Sequence, residues 1–189
     1  LRTHTRPSDL VARIGGDEFV LVVPELRSEA EALDVANRTR RLFTEDFARL
    51  GMEVSFVSPD RRRDWRAKLR KNTRAIFVET PTNPVMRVLD VEWLSILTRE
   101  KGIPLLVDST FATPVNYRPL EHGADIVIHS VTKYLNGHSD VIAGAVAGSE
   151  PLIDEVRSRM RVWGQALDPH CAWLIERGMK TLAVRMARH

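Results

Sequence analysis

The sequence has very little cysteine: Cys171 is the single thiol in 189 residues. That excludes an intrachain disulfide and a cysteine-based metal cluster, so no metal site is expected. It also fits a reducing compartment, and a cytoplasmic location is the expectation. Cys171 lies in an apolar helical run and reads as a packing group rather than a reactive thiol. Long apolar runs are absent too. None approaches the roughly eighteen residues of a membrane helix, so no membrane partner is expected. The opening LRTHTRPSDL is polar and lacks a signal-peptide core. It begins with Leu1 rather than Met, which suggests a fragment or a start out of frame. An excess of one charge is missing as well. Lys plus Arg total 28 against 25 Asp plus Glu, a net +3. The bases are scattered apart from Arg61-Arg62-Arg63, which reads as a solvated turn, and no nucleic-acid partner is expected. The length suits one ordinary domain or two small ones, large enough to bury a core without disulfides.

The chain reads as two unequal pieces, residues 1–41 and 42–189. In the first, Leu10–Ile14 and Phe19–Val23 flank Gly15-Gly16-Asp17-Glu18, a strand–turn–strand pattern. Ser28 and Glu31 then form a capping box for a helix running toward Arg41. In the second, strands are expected at 53–57, 74–78, 104–107, 125–129 and 141–146. Helices are expected at 63–69, 90–101, 151–161 and 168–180. Asp90 caps the second of these and Gly102 ends it. Short apolar strands alternating with helices imply a parallel sheet covered on both faces. No internal repeat or low-complexity linker interrupts the pattern.

In open parallel sheets, ligands bind beyond the carboxyl ends of the strands. Three polar segments lie there: Glu79 to Pro84, Asp108-Ser109-Thr110, and Ser130-Val131-Thr132-Lys133-Tyr134. A lysine, a carboxylate and paired hydroxyls are the groups that hold pyridoxal phosphate. The amine carries the cofactor as a Schiff base, the carboxylate keeps the pyridine nitrogen protonated, and hydroxyls beside a loop backbone bind the phosphate. On spacing alone two readings stand. Lys133 is either a solvated lysine or the cofactor lysine, and Asp108 either a helix cap or solvated turn, or its counter-charge. Lysine is scarce here, five against twenty-three arginines, and Lys133 follows a buried strand directly.

Four motifs carry a resemblance over residues 42–189: ETPTNP at 79–84, VDSTFATP at 107–114, GADIVIHSVTKYLNGHSDVIAGAV at 123–146 and LDPHCAWLIERGMKTLAVRMARH at 167–189. The segment resembles the pyridoxal-phosphate enzymes of cysteine and methionine metabolism, the trans-sulfuration enzymes. The resemblance implies an α/β fold: a partial fold-type I large domain, its sheet mostly parallel with flanking helices, preceded by a β-hairpin–helix segment. It also implies that Lys133 is the catalytic Schiff-base lysine. Asp108 would pair with the pyridine nitrogen, Ser130 and Thr132 would hold the phosphate, and Asn83 would lie near the ring hydroxyl. The substrates implied are small amino acids such as cystathionine, homocysteine or acylated homoserine, with elimination or replacement at Cβ or Cγ. The assembly implied is a homotetramer of dimers. The sequence departs from the family's pattern in places. Where the family has Tyr-Gly-Gly-Thr before its Arg-Leu-Phe, here Arg41-Leu42-Phe43, this chain reads Ala36-Asn37-Arg38-Thr39. The family's N-terminal phosphate loop and C-terminal substrate-carboxylate arginine have no counterpart, so a truncated copy is expected.

Residues 1–41 resemble part of a GGDEF domain of diguanylate cyclases. Arg13-Ile14-Gly15-Gly16-Asp17-Glu18-Phe19 matches the signature, and Arg6-Pro7-Ser8-Asp9 lies five residues before Gly15, as in that family's product-inhibition motif. By that resemblance Asp17 and Glu18 would serve metal, but only in a complete domain. Besides the pyridoxal-phosphate reading, two others stand: a cyclic di-GMP signalling fragment, and an inactive fusion of two partial frames.

Overall fold

A computed structural model describes residues 10–15, 18–22, 45, 47–83, 86–164 and 166–189. The chain divides into two compact units, Leu1–Lys68 and Leu69–His189.

In the first unit, β1 (Leu10–Gly15) and β2 (Glu18–Val22) pair antiparallel, with Leu10 opposite Val22 and Gly15 opposite Glu18. The hairpin expected from the Gly-led turn is therefore formed. The helix expected from Ser28 lies outside the described residues, and so does Asp17. Residues 52–58 hold no strand, against the expectation at 53–57. Met52 and Phe56 stay exposed, and no strand among the described residues pairs with this run, so it has no ladder to join. The arginine run opens α1 (Arg62–Lys68) rather than a loop. Asp64 in its first turn lies 4.0 Å from Arg61 and 3.9 Å from Arg63, exposed pairs that add little stability.

The second unit is built on a four-stranded sheet in the order β3-β4-β5-β6. Strands β3 (Ile76–Glu79), β4 (Leu105–Asp108) and β5 (Ile126–Ser130) run parallel. The crossover between β3 and β4 is α2 (Val91–Lys101). Its ends follow from local chemistry. Asp90 Oδ1 accepts the Trp93 N–H at 2.9 Å, and Gly102 takes the left-handed conformation with φ 65°. Val91, Leu94 and Leu97 form its buried stripe, and the helix packs on β4. Leu105 and Val107 beneath it have no exposed surface. Each such burial contributes about 1.5–3 kcal/mol. At the amino edge, Asp125 Oδ2 accepts the Leu105 N–H at 2.8 Å.

Strand β6 (Gly144–Gly148) runs antiparallel to β5, with Ser130 opposite Gly144. The sheet is therefore mostly parallel, as the resemblance implied, with one antiparallel edge strand. Residues 131–137 are spent on a tight turn, leaving no crossover helix, and without one the chain returns antiparallel. The strand starts at Gly144 rather than Val141 because Ala143 is bonded elsewhere. Its N–H and C=O meet the Thr132 hydroxyl and amide. Phe77 and Val146 stay exposed, so the sheet is not sealed on both faces.

After β6 come α4 (Glu150–Trp163), α5 (Pro169–Met179) and α6 (Leu182–Arg188), and the short α3 (Thr113–Asn116) follows β4. Asp168 caps α5 by accepting from His170 and Cys171 N–H. Val131, Leu135, Val141 and Ala143 pack with Leu182 and Met186 of α6. Cys171 packs against that cluster, half-buried, as a packing thiol should. The turn after β5 is thus cemented to the last two helices.

Candidate active site

The register of the three parallel strands puts their carboxyl ends side by side. Glu79 lies opposite Asp108, and Asp108 opposite Ile128, two residues before Ser130. The main chain continues the alignment past the strand ends: Thr80 N–H donates to Asp108 O, and Ser109 N–H to Ile128 O, both at 3.0 Å. The polar segments at 79–83, 108–110 and 130–133 therefore share one edge.

Asp108 is half-buried and tightly oriented. Its Oδ1 accepts the Thr110 N–H at 2.9 Å and the Thr110 hydroxyl at 2.5 Å. The same Thr110 oxygen accepts the Ser130 N–H at 2.8 Å. One threonine thus ties the carboxylate to the end of β5 and leaves Oδ2 without a hydrogen-bond partner among the described residues. Phe111 meets Tyr134 edge-on at 6.1 Å, which joins the loop after β4 to the turn carrying Lys133.

That turn is a short helical coil. Lys133 N–H donates to Ser130 O at 3.2 Å, Asn136 N–H to Val131 O at 2.9 Å, and Gly137 N–H to Lys133 O at 2.8 Å. Gly137 closes it with φ 72°, a left-handed conformation that favours glycine. Lys133 is exposed, and no hydrogen bond or ion pair among the described residues engages its amine. Among the described residues the Ser130 hydroxyl is likewise uncommitted. Thr132 differs: its hydroxyl accepts from Ala143 N–H at 2.9 Å and donates to Ala143 O at 3.3 Å. Asn83 is exposed, and its N–H donates to Glu79 Oε2 at 2.9 Å. The edge thus brings together Asn83, Asp108, Ser130, Thr132 and Lys133. Glu18 lies on β2 in the other unit.

A half-buried carboxyl and a buried imidazole sense Asp108. Burial pushes the Glu79 carboxyl above its ordinary range; the Asn83 N–H opposes this, and the Asp108 charge adds to it. Burial lowers the His129 imidazole; the Asp108 charge and a hydrogen bond with the Ser109 backbone oppose that. Among the described residues, His129 Nδ1 and the fully buried Ser109 Oγ have no hydrogen-bond partner.

A raised carboxyl gives a signed expectation. The native state holds the Glu79 proton more tightly than the unfolded chain. Stability therefore falls as pH rises from the ordinary Glu value through the raised one. Glu79→Gln removes that loss. Its thermal midpoint should exceed the parent's at pH 7, and the gain should disappear below about pH 4. An equal gain at both pH values would refute the linkage.

Sequence reasoning had named Thr110 only within its segment. Its bridging role needs the β4–β5 register, although a hydroxyl two residues after an aspartate is itself a local turn signal. Arg185 was missed altogether. It reaches the Lys133 turn from fifty-one residues beyond Tyr134, and no local pattern announces that.

The architecture defines an α/β protein with a candidate site at the carboxyl ends of parallel strands, where the oriented Asp108 carboxylate and, among the described residues, the unpaired Lys133 stand. The comparisons narrow that class. Residues 31–189 match the Cys/Met metabolism PLP-dependent enzyme family, and residues 1–56 match the diguanylate cyclase GGDEF domain. Among curated relatives, the cystathionine gamma-synthase/O-acetylhomoserine (thiol)-lyase of Bacillus subtilis is 46% identical over 157 residues, 82% of this chain and 42% of that protein. The cystathionine gamma-lyase of the same organism is 44% identical over 154 residues, 81% of this chain and 41% of that protein. The solved structure of cystathionine gamma-lyase from Lactobacillus plantarum, complexed with L-serine, superposes with a TM-score of 0.74 at 37% identity. It covers 78% of this chain and 39% of its own. The chain belongs to the Cys/Met metabolism PLP-dependent enzyme family. It spans about two fifths of the length of the relatives it matches. The sheet, mostly parallel with flanking helices, is that of a partial fold-type I domain. Among the described residues no helix is long and apolar enough to cross a membrane.

Proposed function

We propose that this chain holds pyridoxal 5'-phosphate on Lys133 and supplies the cofactor core of an enzyme acting on sulfur-containing amino acids. The supporting observation is the edge itself: an Asp108 carboxylate pinned through one oxygen, beside an unpaired Lys133 amine and an uncommitted Ser130 hydroxyl. That donor set suits a group with a cationic ring nitrogen, an aldehyde and a phosphate. When bound, the cofactor supplies an electron sink for charge developing at the substrate's Cα. Asp108 Oδ2 would hold the ring-nitrogen proton in place. Ser130 would donate to the phosphate, and Thr132 would join it by giving up its longer bond to Ala143. Asn83 would face the ring hydroxyl. Lys133 Nζ, once released, is the group able to carry a proton between substrate carbons. The reaction class is β- or γ-elimination or replacement on a small amino acid such as cystathionine, homocysteine or an acylated homoserine, in a homotetramer.

The test is titration of the purified chain with pyridoxal phosphate, borohydride reduction and peptide mapping, followed by assay of keto-acid and thiol release. Label on Lys68, Lys71, Lys101 or Lys180 instead of Lys133 would overturn the assignment. Capture without turnover would favour a second reading, a cofactor-binding but inactive fused chain. That reading is supported by Ala36-Asn37-Arg38-Thr39 standing where the family resemblance implies a tyrosine.

The two family matches overlap at residues 31–56, which supports a junction of two sequences near residues 41–42. A GGDEF-like hairpin by itself is expected to make no cyclic di-GMP. Two adjacent carboxylates do not complete a divalent-cation site or align two triphosphates. Incubation with GTP and magnesium should yield no product. A product that vanishes in Asp17→Ala would reverse this.

A further inference from the structure

We infer that Arg185 is a positioning residue for Lys133, a clamp that sets the turn on which the cofactor lysine stands; this rests on the proposed role of Lys133. The turn uses the carbonyls of Ser130, Val131 and Lys133 for its own hydrogen bonds. The next two carbonyls, of Tyr134 and Leu135, have no such internal donor, and both are taken by one guanidinium. Arg185 Nη1 donates to Tyr134 O at 2.6 Å and Nη2 to Leu135 O at 3.3 Å. Nη2 also donates to Gly178 O at 3.0 Å and Nε to Thr181 Oγ1 at 3.0 Å. One rigid planar cation therefore fastens the Lys133 turn to the end of α5 and the start of α6. A lysine ammonium is a point charge without that fork and cannot reproduce the set.

The surroundings hold Arg185 in place. Leu182 and Met186, on its own helix, are buried against Val131 and Leu135 of the turn. Thr181 fixes the Nε side and donates in turn to Gly178 O at 3.1 Å. A second latch acts on the far end of the turn. Arg177 bonds Asp140, whose other oxygen accepts from Asn136 Nδ2 at 2.7 Å. That pair is more exposed than Arg185 and closes the turn without touching the carbonyls beside Lys133.

The test uses the full chain with Arg185→Lys and, as a milder variant that keeps the guanidinium, Thr181→Val. Two readouts are taken: borohydride-trapped pyridoxal phosphate at Lys133, and hydrogen exchange of backbone amides. In Arg185→Lys, capture at Lys133 should fall about tenfold at a concentration half-saturating the parent, because charge-assisted bonds are lost. The Asn136 and Gly137 amides should exchange about tenfold faster, while Val107 and Val127 in the sheet keep their protection. Thr181→Val should move both readouts the same way by roughly threefold; should Arg185→Lys fail to fold, this variant carries the test. Unchanged capture despite faster exchange in the turn would overturn the clamp, as would protection lost evenly across the sheet. If the parent itself captures cofactor on another lysine, the proposed function fails; slowed exchange of Asn136 and Gly137 dependent on Arg185 would then still stand apart from it.

Discussion

Lys133→Ala should remove borohydride-trapped cofactor from the 123–146 segment outright and cut any elimination activity by ~10²–10⁴. The size of the effect follows from the local chemistry. Lys133 is exposed at the carboxyl edge of the parallel strands. Neither a carboxylate nor a carbonyl among the described residues competes for its amine. An amine with no standing partner forfeits no ion pair when it bonds an aldehyde. Lys180 and Lys101 stand in different settings. Lys180 lies 3.9 Å from Glu176, and Lys101 sits in the last turn of α2, where the helix dipole favours its charge. Lys101→Ala should therefore leave capture at Lys133 intact. Fold should survive in Lys133→Ala, because the side chain is exposed. An unchanged thermal midpoint with lost capture is the expected pair of results. Capture surviving the substitution would end the assignment.

Gly178→Ala should destabilise the second unit by about 3 kcal/mol, at the upper end of what an added methyl costs in a packed interior. Helix propensity alone forecasts the opposite sign, since alanine is favoured over glycine inside a helix by about 1 kcal/mol. The packing decides. A Cβ at Gly178 would stand 2.2 Å from Asn136 O and 3.0 Å from Asn136 Cα and C. Those are backbone atoms of the Lys133 turn, already fixed by the Asn136 N–H bond to Val131 O and by the Asn136–Asp140 bond. Neither side can rotate away, so α5 must lift off the turn. Gly164→Ala makes the control: among the described residues nothing beyond its chain neighbours lies within 4 Å of its Cβ, and its positive φ of 74° is what resists. That residue should cost about 1–2 kcal/mol. Urea midpoints measured on both variants check the order. Gly178→Ala should also weaken capture at Lys133, whereas Gly164→Ala should not. Stabilisation in Gly178→Ala would mean that the close approach of α5 to the turn is wrong.

Much of the second unit was legible along the chain because its signals are local. Asp90 and Gly102 bracket α2 where capping chemistry puts them, and Asp168 caps α5. The short apolar runs ending at Asp108 and Ser130 became β4 and β5. The polar segments that follow them share one edge because parallel strands necessarily align their carboxyl ends. The expected strand at 53–57 failed for the complementary reason. Its residues have strand propensity, but a strand exists only through the neighbour it bonds to. The reversed β6 had the same cause: direction in a sheet is set by the connection, and an apolar run reads alike both ways.

Residue types and their order in the chain were therefore enough to locate the strands and to name Lys133, Asp108 and the hydroxyls beyond their carboxyl ends as candidates. Periodicity, caps and motif spacing all act within a few residues. The fastening of those groups arose only when distant segments met. Thr110 bridges Asp108 to the Ser130 N–H through the β4–β5 register. Arg185 grips the carbonyls after Lys133 from α6, and Gly178 lets α5 lie against Asn136. A guanidinium's partners, like the room for a methyl group, depend on distances across space, and a distance across space becomes defined only when the core closes.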